Sequence, residues 1–133
     1  MSQDLAWQII RNNSSFLRRQ RGINKLFSRE DYNLKGVNSP RFNGLTNVKA
    51  IDIKVAPDGK NILFSTKRHR RNKPAKSAKT ITIKRQNRQT LKAVKNLTRS
   101  HNPKSTMVAV RRASQLLRSL KVRKPRATKK TEA

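Results

Sequence analysis

The most regular hydrophobic pattern lies between residues 51 and 67. Ile51, Ile53 and Val55 alternate with Asp52 and Lys54, and Ile62, Phe64 and Thr66 alternate with Leu63, Ser65 and Lys67. Pro57-Asp58-Gly59 separates the two runs. Proline presets φ and glycine supplies the positive φ that closes a short loop, so the segment predicts a β-hairpin. Thr80-Ile81-Thr82-Ile83 predicts one more short strand. The period then changes from two to 3.6. A helix is expected from Asn87, as its cap, to about Ser100. Pro103 and Ser105 mark a break and a restart, and a longer helix is expected from about Ser105 to Leu120.

The first half is less regular. Leu5, Trp7, Ile9 and Ile10 predict a helix over Asp4 to Arg11, capped by Ser2 or Asp4. Asn12-Asn13-Ser14-Ser15 breaks it. Phe16-Leu17 begins a strand that the basic cluster Arg18-Arg19-Gln20-Arg21-Gly22 is expected to end. Residues 22–47 are rich in Asn, Ser and Gly without periodicity and read as loop or extended chain. Pro74 and small residues argue the same for 67–79. No internal repeat is present. The fold class expected is α+β, a small core of short strands including one hairpin packed with helices. The domain runs over 1–120, with a basic loop at 67–79, and a basic tail occupies 121–133.

Charge changes this picture. The chain has 133 residues and a formal net charge of +28. Between Gly59 and Thr131 stand 24 lysines and arginines and no acid. Such a run repels itself in water and calls for a polyanion, of which nucleic acid is the first candidate. Leu, Ile, Val and Phe make up 23% of the chain. Below roughly 20%, chains of high net charge tend to be disordered. A small core with basic segments that order on a partner fits this position just above the line. Cysteine is absent, which excludes disulfides and thiolate zinc sites. No apolar run reaches the roughly 18 residues of a membrane span. The N-terminus has Asp4 early and its first arginine at Arg11, unlike a signal or transit peptide. These features point to an intracellular chain.

The helical periods give the charge a direction. At 100° per residue, Ala109, Val110, Ala113, Leu116, Leu117 and Leu120 share an arc of roughly 120°. Lys104, Arg111 and Arg118 fall together on the opposite side. In the preceding helix Leu91, Val94 and Leu97 form one stripe and Arg88, Lys92, Lys95 and Arg99 another. An ordinary solvated face mixes signs, whereas these are purely basic, so they are candidate phosphate contacts. Lys67, Arg68, Arg70, Arg71, Lys73, Lys76 and Lys79 form a basic loop. This loop and the 121–130 tail suit nuclear-import signals, RNA-inserting arms or both, and the strands flanking the loop favour insertion into structured RNA there. Arg18, Arg19, Arg112, Arg123 and Lys124 complete the basic candidates, and Arg41 with Phe42 is the one aromatic pairing among them. The other rings lie in the less basic half, which favours phosphate and shape recognition over base stacking.

Catalysis finds little support. His69 lies in the basic loop and His101 at a helix end, neither with an acid nearby in sequence. The acids are isolated apart from Glu30-Asp31, and no Gly-rich phosphate loop occurs. No enzyme, cofactor or metal site is expected.

Asn33-Leu34-Lys35 with Asn38-Ser39-Pro40-Arg41-Phe42-Asn43-Gly44-Leu45 resembles the central signature of the eukaryotic large-subunit ribosomal protein twenty-eight family. Trp7 followed by Arg11 to Leu17, Lys73-Pro74-Ala75 before Thr80 to Ile83, and Met107 to Ser119 resemble further parts of it in the same order. Gly22–Asp31 and the tail match less well. The resemblance implies a non-catalytic structural constituent of the large subunit of the cytoplasmic ribosome. It implies large-subunit ribosomal RNA and neighbouring ribosomal proteins as partners, and a nucleolar stage of assembly. A membrane, a small-molecule substrate and homo-oligomerisation are not expected. A chromatin or DNA-compacting protein shares the charge but gives no reason for the Asn/Ser/Gly-rich segment 33–45. A membrane-active cationic chain would need interfacial aromatics that these helices lack.

Overall fold

In the computed structural model, which describes residues 2–68, 73–84 and 87–121, the chain starts with helix α1 (Gln3–Ile10). Ser2 caps it, its hydroxyl accepting from the Leu5 N–H at 3.2 Å. Strands β1 (Leu17–Arg19) and β2 (Leu26–Ser28) pair antiparallel, Arg18 opposite Phe27. The first strand ends inside the basic cluster, at Arg19. Arg18 and Arg19 are part of the strand, because the β2 backbone supplies their ladder. Strand β2 lies inside the segment expected to be loop or extended chain, and Phe27 also bridges Val37. A three-residue strand leaves no periodic trace. Its ladder rests on pairing at a distance.

The hairpin forms as its alternation predicts. Strands β3 (Ile51–Val55) and β4 (Ile62–Lys67) pair with Ile53 opposite Phe64. Ala56 N–H donates to the Asn61 carbonyl at 2.9 Å, and Gly59 takes φ 66° in the turn. Strand β5 (Ala78–Ile83) adds to β4, with Ile62 opposite Ile83. The loop expected at 67–79 is thus shorter. Lys67 ends β4, Ala78 and Lys79 open β5, and Pro74–Lys76 form a 3₁₀ turn instead of irregular chain. Proline favours that turn because its fixed φ suits a first helical position. Arg68 N–H donates to the Ser77 carbonyl and closes the base.

Helix α2 (Asn87–His101) and helix α3 (Thr106–Ser119) are separated by a 3₁₀ turn over Pro103–Ser105. Asn87 is the first helical residue. The two helices pack on each other, and α3 packs on β3 and β4. Ile51, Ile53, Ile62, Phe64, Ile83, Val94, Ala109 and Ala113 form one buried cluster. Burying a side chain such as Phe64 or Ile53 contributes roughly 1.5–3 kcal/mol. Ala109 and Ala113 are fully buried, so small side chains let the α3 backbone come close to its neighbours. On α2 the buried positions are Thr90, Val94 and Thr98, with Leu91 and Leu97 packed at the margin. The threonines are the part the apolar stripe did not predict. Thr98 satisfies its hydroxyl by donating to the Val94 carbonyl at 2.7 Å, which lets a polar residue sit in the core. Among the described residues, three α-helices with two antiparallel sheets make an α+β fold. Among the described residues no helix is long and apolar enough to cross a membrane.

Candidate nucleic-acid interface

Segment 29–47 is held over the hairpin by a buried carboxylate. Glu30 is 6% exposed and accepts from Asn33 Nδ2 at 3.1 Å, Asn43 Nδ2 at 3.2 Å and Gly44 N–H at 3.0 Å. Asn43 in turn accepts from the N–H groups of Leu45 and Thr46, and Asn47 Nδ2 donates to the carbonyls of Pro40 at 3.0 Å and Asn43 at 2.8 Å. These amides do locally what a ladder does in a strand, and they explain order without periodicity. Tyr32 takes φ 64° at the point where Gly44 passes closest.

Glu30 is buried and Asp52 half-buried, whereas Asp31 is exposed beside them. Lys54 bridges Asp31 and Asp52, the latter at 3.1 Å. Its pKa is raised, first by the hydrogen bond to Asp31, against an opposing desolvation, then by Asp52. Burial raises the Tyr32 pKa, with the Asp52 and Asp31 charges adding to it and Lys54 opposing. Among the described residues Lys54 is the cation held in ion pairs, so the basic faces have no acid partner.

Those faces are mounted as the periodicity predicted. Arg88, Lys92, Lys95 and Arg99 are exposed along α2, and Arg111, Arg112 and Arg118 along α3. Lys73, Lys76 and Lys79 are exposed around the 3₁₀ turn and the start of β5, beside exposed Arg68. Arg18 and Arg19 are exposed on β1. Arg70, Arg71, Arg123 and Lys124 lie outside the described residues.

Two candidates sit differently from their expectation. Lys67 is half-buried and donates to the carbonyls of Gly44 at 2.8 Å and Leu45 at 3.1 Å, so its ammonium ties the loop to β4. Burial lowers its pKa, and the Glu30 charge works against that. Lys104 lies in the 3₁₀ turn before α3 and not on that helix, so it is off the Arg111–Arg118 line. It meets Arg41 instead, whose guanidinium donates to the Lys104 carbonyl at 3.4 Å. The same guanidinium and the Lys35 ammonium each stand 5.4 Å from the centre of the Phe42 ring.

This contact closes one side of an open groove of about 820 Å³, lined by Gln3, Arg41, Asn47, Lys49, Asn102 and Lys104 among others. Asn102 Nδ2 donates to the Lys49 carbonyl at 2.8 Å and ties the other side. Sequence reasoning missed Gln3, Lys49 and Asn102, because three segments far apart in the chain meet here. Among the described residues no group of three or more His, Asp or Glu is placed to hold a metal ion.

The Ribosomal L28e protein family matches residues 5–119, which span α1 to the end of α3. The chain belongs to that family. It is a ribosomal protein and not an enzyme. Among its relatives, the large ribosomal subunit protein eL28 of Caenorhabditis elegans is 44% identical over 120 residues, 90% of either chain. That of Dictyostelium discoideum is 34% identical over 133 residues, covering 99% of this chain and 98% of its own. That of Schizosaccharomyces pombe is 33% identical over 129 residues, covering 93% and 96%.

Proposed function

We propose that the chain is a structural constituent of the large subunit of the cytoplasmic ribosome and binds ribosomal RNA by neutralising phosphates. The observation that carries this reading is the mounting of unpaired cations on elements whose opposite sides form the core. Arg111 and Arg118 share a helix with fully buried Ala109 and Ala113, and Lys92 and Lys95 share one with fully buried Val94. Charge fixed in direction bridges separate phosphates of a folded RNA, and its affinity falls steeply with salt. The exposed cations of β1, the 3₁₀ turn and β5 extend this contact, as do the basic residues of 69–72 and the tail. Leu5 and Ile9, 54% and 58% exposed on α1, offer apolar contact to neighbouring ribosomal proteins. The relatives named as large-subunit proteins support the particle, and synthesis in the cytoplasm with nucleolar assembly follows from it.

Sedimentation of a cell extract through sucrose, before and after nuclease, tests the reading. The chain is expected with the large subunit and is released by RNase. Release by DNase and not by RNase would make it a chromatin protein.

A further inference from the structure

The groove between segment 41–49 and the turn joining α2 to α3 has a chemistry that the basic faces lack. Its cations are Arg41, Lys49 and Lys104, all exposed, and among the described residues none has an acid partner. Three like charges around one opening favour an anion there. Arg41 is braced by the Phe42 ring and the Lys104 carbonyl, so its remaining N–H groups are held ready for a phosphate.

Between the cations stand Asn47 and Asn102. Both have their amide nitrogens engaged by main-chain carbonyls, Asn47 with Pro40 and Asn43 and Asn102 with Lys49. Asn47 has its amide donors engaged and Asn102 one of its two, and each offers a ligand its carbonyl oxygen, an acceptor whose orientation is fixed. A phosphate has no donor for an acceptor. An unpaired base bearing an exocyclic amino group does, and unpaired nucleotides are recognised at such edges. The volume suits one small ligand.

We infer that this groove holds a single unstacked nucleotide of RNA, its phosphate on Arg41, Lys49 and Lys104 and an amino-bearing base on the Asn47 and Asn102 oxygens. The inference rests on the RNA-binding reading above and adds base discrimination to it. An acidic peptide would satisfy the same cations, and competition with hexaglutamate tells the two apart.

The test measures anisotropy of labelled single-stranded cytidylate and uridylate hexamers with the full chain, at elevated salt. The two bases differ where cytosine has an amino group and uracil a carbonyl. Cytidylate is expected to bind about threefold to tenfold tighter, the range of one hydrogen bond. In the double variant Lys49→Ala with Lys104→Ala the ratio falls to one. Both tethers use main-chain carbonyls, so these truncations leave the walls tied, and an unchanged thermal melt checks it. Equal binding of the two hexamers by the natural chain overturns the inference, as does a ratio that survives the double variant. Displacement of cytidylate by hexaglutamate at equal concentration assigns the groove to an acidic peptide and overturns it too. In each of these cases RNase still releases the chain from the particle. If RNase does not, the RNA-binding reading itself falls.

Discussion

The main-chain N–H of Gly44 donates to the buried carboxylate of Glu30 at 3.0 Å, fourteen residues earlier in the chain. This bond sets Gly44 against the backbone it has to pass. A methyl group at its α-carbon would stand 2.0 Å from the Asp31 carbonyl oxygen and 2.9 Å from the Tyr32 backbone. Backbone on that side has no rotamer with which to yield. Gly44→Ala is therefore expected to cost about 3 kcal/mol, the upper part of the range for overpacking. It should lower the melting temperature by roughly 10 °C. A melt matching the natural chain would show that segment 29–47 is not pinned there.

How far the sequence could be read follows from where order comes from. The hairpin and both long helices carry their signal locally, in the alternation of Ile51 to Thr66 and the 3.6 period of Leu91 to Leu120. The Glu30 hub does not. Its partners Asn33, Asn43 and Gly44 have no shared period, and Glu30 with Asp31 looked like one isolated acidic pair. In the fold the two point to different partners, Glu30 to amides and Asp31 to Lys54. Lys67 and Lys104 show the same limit for the interface. The basic loop made Lys67 a phosphate contact and helical spacing made Lys104 one, whereas the fold turns the first onto carbonyls and places the second before α3. The stripes on α2 and α3 were legible because a helix converts spacing directly into direction.

The buried face of α2 separates packing from polarity. Val94 is fully buried, and Val94→Ala removes core volume, with an expected loss of about 2 kcal/mol. Thr98 is equally buried, yet Thr98→Val keeps the volume and removes a hydroxyl bonded only within its own helix turn. Its cost should be about 1 kcal/mol or less. Urea denaturation of the two variants measures the difference. A larger loss at Thr98 than at Val94 would mean that the hydroxyl holds the helix pair together.

Alkaline pH should expose three groups of opposite sign. The folded Lys67 pKa lies below its unfolded 10.5, so between the two values the unfolded chain binds more protons and stability rises with pH. Lys54 is shifted upward, so its contribution is present below 10.5 and is lost as pH rises through the folded value. The Tyr32 hydroxyl is shifted above 10.0, so the folded chain holds its proton longer and stability falls from pH 10.0 upward. The readout is the difference between variant and natural chain. Lys67→Met should flatten the rise of the urea midpoint towards pH 10.5. Tyr32→Phe should lessen the fall beyond 10.0. Parallel curves for both variants would mean these environments do not persist in solution.

The face of α3 allows folding and RNA contact to be tested apart. Arg111 and Arg118 are exposed, while Ala109 and Ala113 are buried and Leu116 and Leu117 pack against the core. Arg111→Glu with Arg118→Glu should leave helix content and melting temperature close to those of the natural chain. It should also abolish incorporation into large subunits, because two attractive contacts become repulsive. The milder pair Arg111→Gln with Arg118→Gln gives a number. Each phosphate contact adds about 0.7–0.9 to the slope of log affinity against log salt, so losing two should lessen it by roughly 1.4–1.8. An unchanged slope, measured from 50 to 300 mM salt as a roughly chosen working range, would take both arginines out of the interface. A changed slope with normal incorporation would instead place the decisive cations on α2 or β5, where Lys92, Lys95 and Lys79 are next to be reversed.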